Sequence, residues 1–208
     1  WTRKWQTSTD MRLFFVPLIA CVLLSCQKQK MVSQEELKKY ILDPENGLIV
    51  KAKKNDVDIE ALYRPNALVI AQQIDGVTDK AERTKVIKNF DSLTYFVIKL
   101  SRNGQEIENG YVFDPDKFLK VANYLASGVA QNIYLTTSTD TIPALDAVYT
   151  RMFGAATATT VMAIFDADVR ELTGTLQLHL DDTELGLGLN EFEFDTNNIK
   201  NAPTLNLN

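Results

Sequence analysis

The sequence predicts a mainly β, α+β domain: an antiparallel β-sandwich with one strong and two weaker helices. Three observations predict it. About nine short runs rich in β-branched, aromatic and leucine residues are spread along residues 33–208, several alternating apolar with polar at the period of a half-buried strand. Turn-forming clusters, Lys54-Asn55-Asp56 and Arg102-Asn103-Gly104, separate neighbouring runs in the manner of hairpins. One stretch, after Asp114-Pro115, repeats its apolar residues at clear helical spacing.

In chain order, Ser33-Gln34-Glu35-Glu36 is a capping box, a hydroxyl at the cap and a carboxylate three residues on. It opens a helix with Leu37, Tyr40 and Ile41 on one face, ended by Asp43-Pro44, which reads as packing on its own domain rather than on a membrane. Leu48 to Lys53 and Val57 to Tyr63 follow as strands, with Val57, Ile59 and Ala61 alternating with Asp58 and Glu60 until Pro65 stops the run. Asp79 to Asn89 is charged and reads as a surface helix leading to Phe90. Leu93 to Leu100 and Glu106 to Phe113 flank Asn103-Gly104 as the arms of a hairpin. Asp114-Pro115 then caps the main helix, with Phe118, Val121, Ala122, Leu125 and Val129 on its apolar face. The remaining strands are Asn132 to Thr136, Ala147 to Met152, Thr159 to Phe165, Thr175 to Leu180 and Glu191 to Asp195. The Asn-rich tail from Asn197 reads as irregular.

Upstream of this domain, Leu13 to Ser25 is almost wholly apolar and follows Met11-Arg12. Thirteen helical residues span about 20 Å, short of a bilayer core of roughly 30 Å, so the run fits a secretion signal better than a membrane span. Leu23-Leu24-Ser25-Cys26 resembles the lipobox of bacterial lipoproteins. That resemblance implies cleavage before Cys26, acylation of its thiol and new amine, and no catalytic role for it. It also implies an outer-membrane address, since Gln27 rather than Asp follows the cysteine. The organisation expected is residues 1–25 as upstream sequence and signal, 26–32 as lipidated Cys26 and tether, and 33–208 as a single β-rich domain.

Composition narrows the function. The 208 residues carry 22 Lys and Arg against 27 Asp and Glu, a net charge of −5. Losing Arg3, Lys4, Arg12 and Asp10 with the signal would take three cations and one anion, leaving −7. An acidic chain is a poor partner for nucleic acid or anionic membrane surfaces. With Cys21 in the signal and Cys26 acylated, the domain has no disulfide, no cysteine nucleophile and no thiolate metal site.

No grouping of residues reads as catalytic. His179 is the single histidine, alternates with leucines, and reads as an outward-facing surface residue of a strand; no Gly-x-Ser-x-Gly elbow accompanies it. Asp166, Asp168 and Glu171, and Asp181, Asp182 and Glu184, are hard-oxygen clusters that lack the spacing of a calcium loop and read as solvated turns. A glycosidase needs two opposed carboxylates, and composition alone singles out no pair. Leu185-Gly186-Leu187-Gly188 reads as a permissive loop rather than a phosphate cradle. Arg64, after the strand ending at Tyr63, reads as paired within the fold rather than as a recognition residue. No cofactor and no metal are expected.

The order of Tyr63-Arg64-Pro65 after an early hairpin, with Gly188 leading into Phe192-Glu193-Phe194-Asp195, resembles uncharacterised envelope lipoproteins of Bacteroidota-type bacteria. The resemblance brings no known activity. The expectation is a lipid-anchored, non-enzymatic binding or assembly module on the outer membrane. Its partners would be the membrane, through the anchor, and an envelope protein complex or extracellular ligand. The alternative is a carboxylate-based hydrolase of envelope polysaccharide.

Overall fold

A computed structural model describes residues 29–207, with Trp1 and Thr2; the signal run and Cys26 lie outside the described residues. Among the described residues there are twelve strands and five α-helices; ten strands form two facing antiparallel sheets of six and four, and the other two pair with each other, so the mainly β, sandwich-like class is as expected.

The larger sheet has the order β2 (Ile49–Lys54), β3 (Val57–Arg64), β4 (Thr94–Arg102), β9 (Thr159–Phe165), β8 (Asp146–Thr150), with β5 (Gln105–Glu106) beside the end of β4. The smaller has the order β11 (Gly188–Asp195), β10 (Thr175–Asp182), β6 (Ile133–Thr136), β7 (Thr141–Pro143). Register places Ile59, Ala61, Ile98, Leu100, Val161 and Ala163 on one face, and Ile133, Leu135, Leu178, Leu180 and Phe192 on the face that meets it. The sheets touch through Phe96 and Phe194, whose rings lie 4.9 Å apart. Each fully buried phenylalanine here is worth about 2–3 kcal/mol of transfer free energy, which explains how a domain without disulfides holds together.

One side of the sandwich is closed by the chain itself. β7 pairs with β6 and β8 with β9, and the two residues between them bond to both sheets: Ala144 N–H to Ile133 O at 2.9 Å, and Leu145 N–H to Ile164 O at 2.8 Å. The main helix, α4 (Pro115–Asn123), continues through a π turn at Tyr124–Gly128 and buries Val121, Leu125 and Val129 in the core. Asp114 caps it by accepting from Lys117 N–H at 3.2 Å. The capping box of α1 (Gln34–Leu42) is present in both directions, and Leu37 and Ile41 are its buried residues.

Three expectations need correction, and one helix, Asn66–Gln73, has no counterpart among the expectations. The arm Glu106 to Phe113 is a strand only at β5, after which Ile107–Tyr111 turns as a 3-10 helix. A strand has two edges; β3 occupies one edge of β4, and β9 takes Thr94 to Leu100 on the other, leaving only Ser101 and Arg102 for β5. α2 (Asn66–Gln73) follows Pro65 directly, and it buries Ala67 to Ile70 in succession, so it shows no amphipathic period. α3 (Lys80–Asp91), capped by Asp79, is the surface helix expected. The tail is ordered as α5 (Thr196–Lys200) and β12 (Thr204–Leu205), and β12 pairs in parallel with β1 (Met31–Val32). Residues 29–32, expected to be tether, are therefore part of the fold: Gln29 Nε2 also donates to Lys200 O at 2.7 Å.

These pairings give the sandwich two distinct ends. The N-terminal segment sits where β3 finishes and β4 begins, beside a small cavity of about 100 Å3 whose walls include Gln29, Tyr63, Asn66, Arg170 and Thr204. The opposite, distal end holds the β2–β3 turn, the close of β4, and the start of α4: Arg102 pairs with Asp56 at 2.8 Å and donates to Tyr111 Oη at 3.3 Å.

Candidate functional site

The distal end is built on two buried carboxylates that lie two residues apart at the point where β5 gives way to the 3-10 turn. Glu106 is 1% exposed and Glu108 is 2% exposed. A charged group this deep is costly unless each lone pair finds a donor. Here all four oxygens do, and every donor is uncharged. Glu106 accepts the backbone N–H of Met152 at 3.0 Å and that of Gly154. Glu108 accepts the hydroxyls of Tyr149 and Thr159, and Thr159 Oγ1 in turn accepts Ile107 N–H at 2.8 Å. Burial and the Glu108 bond together push the Tyr149 phenol above its ordinary range.

The Glu106 clamp fixes a turn with an unusual backbone. Phe153 has φ of 53° and Gly154 φ of 84°. The left-handed region suits glycine but strains a bulky L-residue, at roughly 1–2 kcal/mol. The side chain held this way does not enter the core: Phe153 is 80% exposed. Arg151 stacks between two rings, 4.4 Å from the Phe153 centroid and 4.9 Å from that of Phe118 on α4. Phe113, just before the helix, is 100% exposed, and Val112, Leu119 and Met152 are exposed beside these turns. Lys117 lies 4.5 Å above the Tyr111 ring. The distal end thus carries exposed aromatic side chains and cations in ring contact, with Asp114, Asp116 and Glu184 around the same cavity as Lys117.

Of the residues singled out in the sequence, Glu184 and the Gly186–Gly188 loop reach the distal end, where Asn55 of the β2–β3 turn donates to Gly186 O at 3.2 Å, and the others lie elsewhere and apart. His179 faces away from the leucines as expected, but it is 5% exposed and not a surface residue. Its cross-strand neighbours cover it: the Tyr134 ring stacks at 4.5 Å, Thr136 Oγ1 lies 2.8 Å from Nε2, and Glu191 Oε1 lies 3.4 Å from Nδ1 without hydrogen-bond alignment. Asp182 is buried and structural, its carboxylate accepting N–H groups from Glu184, Leu185 and Leu187 and so shaping the Gly186–Gly188 loop. Glu184 pairs with Lys120 at 2.7 Å. Asp168 pairs with Arg170, whose guanidinium reaches on to Asp91. Among the described residues no group of three or more metal-ligating side chains converges. Arg64 is bonded inside the fold, but to Gln72 at 2.8 Å rather than to a carboxylate.

Neither buried glutamate was legible as such. The pattern Glu106-Ile107-Glu108 looks like a strand with its acids on the wet side. The signal available was Phe153-Gly154 after a strand, a bulky aromatic in a turn with no apolar period to explain it.

No protein-family model matches the chain, and no curated protein does. A solved structure of a DUF4426 family protein from Pseudomonas aeruginosa is similar at 12% identity and a TM-score of 0.35, over 71% of this chain and 91% of that one. That likeness is too distant to bear on fold or function.

Proposed function

We propose that this chain is a non-enzymatic binding or assembly module, held to the outer membrane by acyl chains on Cys26. One observation carries the reading: an exposed Phe153 kept in a strained conformation by a buried carboxylate. Strain and buried charge are retained where the surrounding structure must hold one shape, and the shape held here is an exposed aromatic surface. The N-terminal segment supports the anchor. Gln29 and Lys30 already bond to the domain, so only Gln27 and Lys28 would separate an acylated Cys26 from docked chain. The lipid would hold the N-terminal end against the bilayer and leave the distal end facing outward.

The hydrolase alternative needs two carboxylates facing one accessible cleft. Among the described residues Glu106 and Glu108 are the one buried acidic pair close in sequence, and their oxygens are all engaged by the protein itself.

The test is cell fractionation with a metabolic fatty-acid label. The wild type is expected in the outer-membrane fraction and labelled; Cys26→Ala is expected unlabelled and released. Full labelling of the variant would overturn the anchor.

A further inference from the structure

We infer that the distal surface docks a second protein that offers an apolar pocket edged with carboxylates, and that Phe113 and Phe153 are the side chains that enter it. This rests on the binding-module reading above and names the partner's chemistry.

The charge pattern points to carboxylates. In a chain with more acids than bases, Arg151 has no ion-pair partner among the described residues and its contacts are the Phe118 and Phe153 rings, whereas Lys117, above the Tyr111 ring, shares a cavity wall with Asp114, Asp116 and Glu184. Stacking uses the face of a guanidinium and leaves its in-plane N–H donors for an acceptor. Shape gives the pocket. Phe113 and Phe153 project from two separate turns, so they act as knobs, and the concavity belongs to the partner. The Glu106 clamp fixes the Phe153 turn before binding, so little ordering entropy is left to lose.

Two other occupants fit less well. The anchoring bilayer lies at the far end of β3 and β4, about 25 Å away at ~3.3 Å per residue. A second copy meeting the surface across a two-fold axis beside the Phe153 turn would bring Arg151 towards Arg151, like charge against like.

The experiment is photo-crosslinking in intact native cells, with a benzophenone amino acid placed in the full-length chain at Phe113, at Phe153, or at the exposed Leu42 of α1 as control. Expected are adducts to one and the same protein from 113 and 153, and none from 42. The crosslinked peptide in the partner should be flanked by Asp or Glu, and adding Arg151→Glu should cut the 113 adduct at least tenfold. Phe153→Gly is also expected to lose the 113 adduct, and its urea denaturation midpoint, expected at or above that of the wild type, separates that loss from unfolding. No adduct, an adduct of the chain with itself, or one that Arg151→Glu leaves unchanged overturns the inference. So does flotation of the purified chain with phosphatidylglycerol vesicles that Phe153→Ser abolishes. Fatty-acid labelling in the same cells is scored separately: lost labelling with intact adducts removes the anchor and leaves the docking surface standing.

Discussion

The two ends of the sandwich handle carboxylates in opposite ways. At the N-terminal end Asp168 and Asp91 share one arginine near the surface: Arg170 Nη2 lies 2.6 Å from Asp168 and 3.0 Å from Asp91. All three groups meet solvent, and such pairs contribute little because water and salt screen them. At the distal end Glu106 and Glu108 are sealed from solvent and met only by neutral donors. Leaving any of those donors unpaired would be costly in a low-dielectric interior. The difference shows where the fold demands a single shape. The surface bridge tolerates adjustment, whereas the buried clamp dictates the path of residues 151–154.

The largest expected effect follows from that contrast. Glu106→Ala orphans the N–H groups of Met152 and Gly154 and leaves a void, for a loss of about 3 kcal/mol in urea denaturation. A loss below about 1 kcal/mol would mean that the turn finds other acceptors, and the two ends would then differ in appearance only.

The sequence made this contrast hard to see, for reasons that differ by element. Local signals were reliable wherever a residue's partner lay close in the chain. The Ser33 capping box, the Asp114-Pro115 helix start, the turns with positive φ at Asn55 and Asn103, and β9 at Thr159–Phe165 all stand where the pattern put them. Elements defined by distant partners were not legible. β12 exists because β1 pairs with it from the other end of the chain, and β5 is short because β9 already occupies the edge of β4. The buried glutamates belong to the same class, since their donors lie more than forty residues away. His179 shows the intermediate case: alternation gave its face correctly, but only register reveals that Tyr134 and Glu191 lie across from it and cover it.

A second, smaller effect runs the other way. Phe153→Gly removes an aromatic from the left-handed region and should stabilise the domain by about 1 kcal/mol in the same denaturation assay. The counter-effect, greater freedom of glycine in the unfolded chain, sets the ceiling near that value. A protein that becomes more stable on losing its most strained exposed aromatic is holding that residue for something other than folding. Destabilisation by Phe153→Gly would instead show that the Arg151 stack contributes more than the strain removes.

The smallest effect is expected at the N-terminal end, and its pH dependence distinguishes it. Hydrogen bonds from Arg170 hold the Asp168 carboxyl below its ordinary value of 3.8, partly offset by burial. A carboxyl depressed in the folded state stabilises fully above its unfolded value and loses that contribution as pH falls through the folded value. Arg170→Ala should therefore lose at most about 1 kcal/mol at neutral pH, discounted for exposure, and the difference from wild type should shrink as pH drops below 3.8. It should also shrink in molar salt, where an exposed bridge is screened; the loss from Glu106→Ala, among buried neutral donors, should not. Equal salt sensitivity at both ends would place the distal carboxylates in contact with solvent, and the rigid clamp beneath Phe153 would then have to be abandoned.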